Sequence, residues 1–314
     1  MKTLLLGGTD LTLVVAQRMC EIGMPPVGVV HVGRQFGISY RPSGVTNTRF
    51  GDMAGWCTAH QIPSQPYECQ AQIERFARDL RAEFCLAAGW YHMVPANLRA
   101  VFSLGAAGLH ASLLPKFRGG APLNWAILAG ENETGISLFV LGDGVDDGPL
   151  YGQECFPIGP RTTIGELVQI SQETATKLIE TCLPGISDGR LKPKPQVGKA
   201  TYCLQRTPDD GAIDWSLPVD TIDRLIRAVG RPYPGAFTSL EGRKLIIWNA
   251  EPFMEDISVY GVPGHIVRLP SQCAPIVIAG RGMLLVHGAT YEDGSDAMSI
   301  LHRSAHKRFA HFPG

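Results

Sequence analysis

Residues 1–190 alternate short apolar runs with segments whose apolar residues recur at helical spacing. Short continuous apolar runs bounded by glycine or polar residues are typical of strands buried on both faces of a parallel sheet. They predict strands at 3–6, 27–32, 84–88, 107–110 and 136–141. Apolar residues three and four apart predict helices at 11–22, 70–81 and 163–179. This order favours an α/β fold with a Rossmann-like, mostly parallel sheet covered by helices on both faces.

Residues 204–314 carry a different pattern. Short apolar runs bounded by turn residues follow one another without helical segments between them, at 237–239, 244–248, 264–267, 276–279 and 284–287. Such spacing predicts a small open β-barrel. The segment 184–199 is rich in Gly, Pro and Lys with little apolar content, which is typical of a linker. We therefore expect one domain at 1–190 and a second at 204–314.

Composition indicates a soluble globular enzyme, since 45% of the 314 residues are apolar and 18% are charged. No apolar run approaches the roughly 18 to 20 residues of a membrane span, so no membrane partner is expected. The apolar start at 3–6 stops at two glycines, which favours a buried strand over a signal peptide. The eight cysteines form no Cys-x-x-Cys pair and no zinc-type cluster, which favours a reducing cytoplasm and no metal site.

Two short motifs carry groups suited to acid–base chemistry. His110 follows the apolar run 106–109, and Asp146 lies in a turn flanked by glycines. Ligands of open α/β sheets bind beyond the carboxyl ends of strands, so a histidine at such an end is a candidate acid or base. A buried structural histidine is the alternative. Asp146 could equally be a turn residue, and Asp143 and Asp147 compete for its role.

The sequence His-Ala-Ser-Leu-Leu-Pro at 110–115, the run 118–125 and the turn around Asp146 resemble the folate-dependent N-formyltransferases. Methionyl-tRNA formyltransferase and the enzymes that formylate amino sugars on nucleotides are the most similar. The segments 206–215 and 225–237 resemble the junction region of that family, so the resemblance covers nearly the whole chain. It implies the formyltransferase fold, an OB-like C-terminal barrel and 10-formyltetrahydrofolate as the formyl donor.

In that family an Asn-x-His pair and an aspartate form the catalytic set. His110 and Asp146 match residue for residue, and the resemblance selects Asp146 over its acidic neighbours. The asparagine does not match, because its position holds Gly108. A main-chain N–H made accessible by the glycine, or a group of the substrate, is expected to replace it. Asn124 belongs to a separate motif and is not an obvious substitute.

Formyl transfer to an amine requires little covalent chemistry from the protein. The amine attacks the formyl carbon, a tetrahedral oxyanion develops, and the attacking nitrogen loses a proton. We expect His110 to hydrogen-bond or protonate the oxyanion. Asp146, near the imidazole and an ordered water, is expected to stabilise the protonated ring and to help accept the proton.

The resemblance places the pterin ring of the donor between two loops that bind it largely through main-chain groups. The candidate residues are Gly89, Trp90 and Tyr91 after the strand at 84–88, and Leu141, Gly142, Asp143 and Val145 after the strand at 136–141. The alternative for the first loop is a structural turn with a buried tryptophan. A nicotinamide site is rejected, since Gly-x-Gly-x-x-Gly is absent after the first strand.

Charge bears on the identity of the acceptor. The net charge is −1, and residues 204–314 contain 11 Lys and Arg against 12 Asp and Glu. A tRNA partner normally requires a basic surface. The loop at 33–43 has two cations, where tRNA-binding relatives carry a lysine-rich loop.

The sequence therefore favours a small-molecule amine over tRNA, either an amino-sugar nucleotide or an amino-acid-like amine. Two alternatives remain. One is methionyl-tRNA as acceptor, and the other is a catalytically weak relative that binds folate without turnover. A homodimer is also open.

Overall fold

The computed structural model describes residues 1–38, 41–270 and 272–310. The strands are β1 (Thr3–Gly7), β2 (Gly28–His31), β3 (Gln35–Ile38), β4 (Arg41–Thr46), β5 (Ser64–Pro66), β6 (Phe84–Ala88), β7 (Ala106–His110), β8 (Arg118–Gly119), β9 (Glu133–Val140), β10 (Leu150–Pro157), β11 (Tyr202–Cys203), β12 (Ala236–Leu240), β13 (Arg243–Pro252), β14 (Ile266–Val267), β15 (Ile276–Ile278) and β16 (Met283–Tyr291). The helices are α1 (Asp10–Glu21), α2 (Met53–His60), α3 (Gln70–Asp79), α4 (Ala96–Arg99), α5 (Pro122–Ala129), α6 (Ile164–Ser187), α7 (Val219–Val229) and α8 (Met298–Arg303). None of these helices is both long and apolar enough to cross a membrane.

By its contacts the chain forms two compact units. The first comprises 1–122, 133–157 and 168–204, and the second comprises 123–132, 158–167 and 205–314. Two short internal segments thus group with the C-terminal residues, although both lie within the expected range 1–190. Alternating apolar periodicity cannot indicate this, because it reports which face of an element is buried and not against which partner.

The first unit is built on a seven-stranded sheet in the order β10-β9-β7-β6-β1-β2-β5. All neighbouring pairs are parallel except those of β9, which runs antiparallel to both β7 and β10. The predicted mostly parallel α/β sheet is therefore confirmed. All five residues of β1 are buried, because its two faces pack into separate cores.

The two cores show on which face of the sheet the candidate residues of β7 lie. Leu5 packs with residues of α1 and α6 on one face, whereas Leu4 packs with residues of α3 and α4 on the other. Ala106 of β7 belongs to the second core. Gly108 and His110 follow it at intervals of two residues, so both side-chain positions lie on that same face.

The second unit contains a five-stranded antiparallel sheet in the order β12-β13-β16-β15-β14. Its two edges are joined through the chain end, since Ala310 bridges Ser239 and Arg308 bridges His265. The antiparallel sheet confirms the predicted C-terminal β domain, whereas its form as a small open barrel stays a prediction. Its assignment to the OB type stays a prediction.

The expected linker at 184–199 begins inside a helix, and this part of the prediction is wrong. Helix α6 continues through Pro184 to Ser187. Residues 194–203, which we call the strap, then pair with the first unit: Lys194 with Leu150, and β11 with β8. Main-chain hydrogen bonds need no apolar side chains, so hydropathy could not show that the strap is part of the packed unit.

The loop at 33–43 largely forms a hairpin, because β3 pairs antiparallel with β4. Ser39 and Tyr40 of that loop lie outside the described residues. The guanidinium of Arg34 lies 4.8 Å from the centre of the Phe50 ring, which makes it a cation–π pair.

Candidate active site

His110 is the last residue of β7, and its side chain is nearly enclosed, with 8% of the residue exposed. Its Nε2 lies 2.7 Å from the main-chain oxygen of Phe117. Its Nδ1 lies 3.4 Å from Oδ2 of Asp146. The structure thus brings together the two residues that the sequence nominated for acid–base chemistry.

The contact with Phe117 fixes which ring nitrogen carries a hydrogen. A carbonyl oxygen only accepts, so Nε2 of His110 must be the donor. Phe117 holds its carbonyl there from a left-handed backbone conformation, with φ of +54°. Nδ1 is therefore the nitrogen that can gain or lose a proton without breaking this hydrogen bond, and it faces the carboxylate.

Asp146 also lies in the left-handed region, with φ of +48°. Its Oδ2 accepts a hydrogen bond of 2.8 Å from the N–H of Gly119, in addition to the His110 contact. The competing acids point elsewhere. Asp143 pairs with Arg99 and has an 85% exposed side chain, and Asp147 is exposed.

The Asp146 loop approaches His110 by an unexpected path. The N–H of Leu141 bonds to the oxygen of Ala106, at the start of β7, and Leu150 pairs with Phe139, which is opposite Gly108. Both loop ends are thus level with the first half of β7, while Asp146 reaches the histidine at its last residue. The antiparallel direction of β9 causes this, and the strand-end rule for parallel sheets does not anticipate it.

The first predicted donor loop begins at a glycine whose replacement would strain the backbone and crowd a neighbouring side chain. Gly89 has φ of +65°, and a Cβ atom there would lie 1.9 Å from Oγ1 of Thr9. Trp90 and Tyr91 follow it in an aromatic cluster. The cluster consists of Phe36, Tyr67, Trp90, Tyr91 and His92, with ring centres 4.3 to 5.9 Å apart.

Two polar atoms of this cluster are buried without a hydrogen-bond partner among the described residues. They are Nε1 of Trp90 and Nε2 of His92. Burial also lowers the pKa of His92 from its ordinary value. Buried polar atoms without a partner destabilise a protein, so these two atoms are candidates for contacts with a bound ligand.

Arg99, which was not among the residues predicted from the sequence, joins the two predicted donor loops. Its Nη1 donates to the oxygen of Val94 at 2.8 Å and to the oxygen of Gly142 at 2.9 Å. Its Nη2 pairs with the carboxylate of Asp143. One guanidinium thus holds the loop after β6 against the loop after β9, while Leu141 packs on the core between them and Val145 is exposed.

A side chain on Gly108 would have to displace the ends of two other side chains, and the N–H of Gly108 is paired within the sheet. A Cβ atom there would lie 2.8 Å from Cδ2 of Leu141 and 3.2 Å from Cε1 of Phe139. The bond between Leu141 N–H and the Ala106 oxygen makes 106 and 141 a hydrogen-bonded pair. By the alternation of antiparallel ladders, Gly108 and Phe139 form the next such pair.

The N–H of Gly108 itself is therefore used within the sheet and is not free to act as an oxyanion donor. Asn124 is not the substitute either. It is 4% exposed, and its Nδ2 donates to the oxygen of Ala228 at 2.7 Å within the second unit. The expected replacement, either another main-chain N–H made accessible by the glycine or a group of the substrate, stays a prediction. Within 1–38, 41–270 and 272–310, no cluster of three His, Cys, Asp or Glu could hold a metal ion.

Two family models match the chain, Formyl transferase at residues 48–183 and Formyl transferase, C-terminal domain, at 206–302. HypX from Aquifex aeolicus in complex with tetrahydrofolic acid has a similar structure, with TM-score 0.62 and 17% identity over 92% of this chain. The chain spans 44% of the length of that protein.

An N-formyltransferase from Helicobacter canadensis, in complex with folinic acid and dTDP-3-aminofucose, has TM-score 0.66 and 15% identity, covering 91% of this chain and 99% of that one. Methionyl-tRNA formyltransferase from Clostridium thermocellum has TM-score 0.55 and 17% identity, covering 92% and 100%. At this identity the structures show the fold alone. The N- and C-terminal models of one family together match well over half of the residues, so the chain belongs to the formyl transferase family.

Proposed function

We propose that the protein transfers a formyl group from 10-formyltetrahydrofolate to an amine of a small-molecule acceptor. The observation that carries the proposal is the His110–Asp146 pair, with Nδ1 directed at a carboxylate and Nε2 held by a carbonyl. The pair lies on the face of the sheet that also carries the predicted donor loops. The roles of both residues are part of the proposal.

The residues of the two loops fit a folate donor. Arg99 fixes the loops to each other, and Gly89 lets the main chain turn closely at the end of β6. Nε1 of Trp90 is a buried donor that a polar edge of a pterin could satisfy. The relatives from Aquifex aeolicus and Helicobacter canadensis were solved with tetrahydrofolic acid and folinic acid, which supports this donor class. When bound, the donor supplies an electrophilic formyl carbon.

His110 handles the proton in this proposal. The distance of 3.4 Å between Nδ1 and Asp146 Oδ2 permits Coulomb attraction but exceeds a good hydrogen bond. The protonated ring has a hydrogen on both nitrogens, and the one on Nδ1 is thus left for the oxygen that becomes negative in the transition state. Asp146 stabilises the positive ring, and its side chain, 23% exposed, accepts the proton that the amine loses. When the bond between the formyl carbon and N10 of the donor breaks, the oxygen returns to a carbonyl and Asp146 passes that proton to the released nitrogen.

A small acceptor is favoured over tRNA by charge. The net charge is −1, and no excess of cations occurs in residues 204–314. In the described part of the hairpin, Arg34 is stacked on Phe50 and only Arg41 adds a second cation. The Helicobacter relative, whose complex contains an amino-sugar nucleotide, supports a small acceptor, whereas the Clostridium relative keeps methionyl-tRNA as the alternative.

Mass spectrometry of reactions with 10-formyltetrahydrofolate tests the proposal. The acceptor panel includes dTDP-amino sugars, hydroxyornithine and methionyl-tRNA. A formyl group on a small amine, dependent on that donor, is the expected result. Formylation of methionyl-tRNA alone, with binding that weakens steeply between roughly 50 and 200 mM salt, would select the tRNA alternative. Folate binding without any turnover would select the catalytically weak relative.

A further inference from the structure

Gln196 of the strap contacts the main chain of the Asp146 loop at two points. Its Nε2 donates to the oxygen of Asp146 at 2.8 Å and to the oxygen of Gly148 at 2.8 Å. Its Oε1 accepts from Arg118, at 2.7 Å from Nη2 and 3.2 Å from Nε. A side-chain amide has two hydrogens and two lone pairs, so all four are used in this one place.

Asp146 needs such support because its conformation is unfavourable. A non-glycine residue with φ of +48° persists only where its surroundings hold it. The loop closes at Gly148, where a Cβ atom would lie 1.8 Å from the oxygen of Val140. Gln196 fixes the carbonyl of the strained residue and the carbonyl of this closing glycine together.

Gln196 is also connected to the carboxylate of Asp146, through residues 118 and 119. Arg118, which donates to Gln196, is followed by Gly119, whose N–H donates to Oδ2 of Asp146. Residues 118 and 119 also form β8, which pairs with β11 of the strap. Both the main chain and the carboxylate of Asp146 are therefore positioned relative to Gln196.

The strap holds Gln196 firmly enough for this role. Two residues before it, Lys194 and Leu150 exchange main-chain hydrogen bonds of 2.7 and 2.8 Å. After it, the oxygen of Thr201 accepts from Arg118 N–H at 2.9 Å, and Oγ1 of Thr201 accepts from Phe117 N–H at 2.8 Å. The glutamine is thus anchored on both sides, before it against the end of the Asp146 loop and after it against residues 117 and 118, of which Phe117 contacts His110.

We propose that Gln196 is a positioning residue for formyl transfer, which sets the Asp146 carboxylate against Nδ1 of His110. The proposal rests on the function proposed above. It assigns a catalytic consequence to a segment whose composition is that of a linker. Gln196 acts only through Asp146, so its removal changes turnover and the environment of His110 and leaves the binding of the donor nearly unchanged.

Gln196→Met tests the proposal, because methionine has a similar length and no amide. We expect kcat to fall ~10- to 100-fold, the scale of a catalytic group displaced by about 1 Å, with KM for the donor changed less than ~3-fold. Gln196→Glu is the second variant, for use if the methionine variant does not fold. It keeps an acceptor for Arg118 and loses both donors, so the same fall in kcat is expected.

The matched control is Gln153→Met. Nε2 of Gln153 also donates twice, to the oxygen of Leu114 and to Oγ of Ser137, both at 2.8 Å, without contacting Asp146. Its kcat should stay within ~3-fold of the wild type. In an Asp146→Asn background, Gln196→Met should reduce kcat by less than ~2-fold more, because residues acting through one group are non-additive. A multiplied loss in that background would overturn the proposal.

A second readout does not depend on turnover. The ¹⁵N resonance of His110 Nδ1, assigned by its absence in His110→Gln, should move in Gln196→Met in the direction in which it moves in Asp146→Asn. An unmoved resonance refutes the positioning role even if formyl transfer is confirmed. Conversely, absence of formyl transfer in the wild type with a moved resonance refutes the proposed function and leaves the positioning of Asp146 supported.

Discussion

Leu141 fills the space in which a side chain on Gly108 would begin, with Cδ2 placed 2.8 Å from the position of a Cβ atom on residue 108. Phe139 closes the same space at 3.2 Å. Gly108 and its neighbours are therefore matched in shape. This complementarity favours a rebuilt site over simple loss of the asparagine that relatives carry at this position.

Gly108→Asn should accordingly lower both stability and turnover. Overpacking of a filled core site typically costs about 1–3 kcal/mol, and the asparagine amide would displace the side chain of Leu141, the first residue of the second predicted donor loop. Chemical denaturation and kcat measure the two effects. Gly288→Ala is the control, since a Cβ on that strand glycine would meet nothing nearer than 3.6 Å. Raised turnover in Gly108→Asn at unchanged substrate affinity would show that the site is a degraded one.

His110 and Asp146 are expected to act as one unit. His110→Ala and Asp146→Asn should each lower kcat by at least ~10²-fold, and the double variant should be little worse, because both act in one proton-transfer step. Rates with saturating donor and acceptor measure this. Multiplied losses would show that the two residues serve separate steps.

Arg99→Met should weaken donor binding more than catalysis. Without the guanidinium, the oxygens of Val94 and Gly142 lose their shared donor, and the two donor loops can separate. We expect KM for the formyl donor to rise ~10-fold or more, the effect of losing a charged hydrogen-bond donor, with KM for the acceptor nearly constant. Arg78→Met, which removes an exposed ion pair with Glu74, is the matched control. Equal changes in both KM values would contradict the role given to Arg99.

The central elements and the candidate pair, His110 and Asp146, could be predicted from the sequence for a physical reason. Strands such as β1 and β6 are buried on both faces, so their apolar runs are continuous and unmistakable. β10 was missed because it is the edge strand of its sheet and mostly polar or half-buried. His110 and Asp146 were found because their neighbours form recognisable motifs.

Arg99 and Gln196 could not be found in the same way. Each donates to a main-chain oxygen of a residue more than 40 positions away along the chain, and a carbonyl oxygen leaves no mark in the sequence. The strap containing Gln196 reads as a linker for the same reason, since its pairing with Leu150 and β8 uses backbone groups. Tertiary structure alone brings such contacts together.

His92 should make the folded state less stable at acid pH. Burial lowers its pKa below the ordinary value of 6.5, and the ring packs between Tyr67 and Trp90. The unfolded chain therefore binds a proton at a higher pH than the folded chain does. Stability falls as pH drops through 6.5 toward the folded-state pKa, and below that pKa this contribution no longer changes.

His92→Gln removes the group that titrates and should flatten the dependence of the unfolding free energy on pH between the folded-state pKa and 6.5. Urea denaturation at a series of pH values measures the slope. Tyr67→Phe is the control, because it keeps an aromatic ring 4.3 Å from His92 while leaving the histidine in place, so the wild-type slope should persist. The same slope in His92→Gln and in the wild type would contradict this prediction. It would show that the imidazole has the same pKa in the folded and unfolded chains, so that its burial does not lower the unfolding free energy at acid pH.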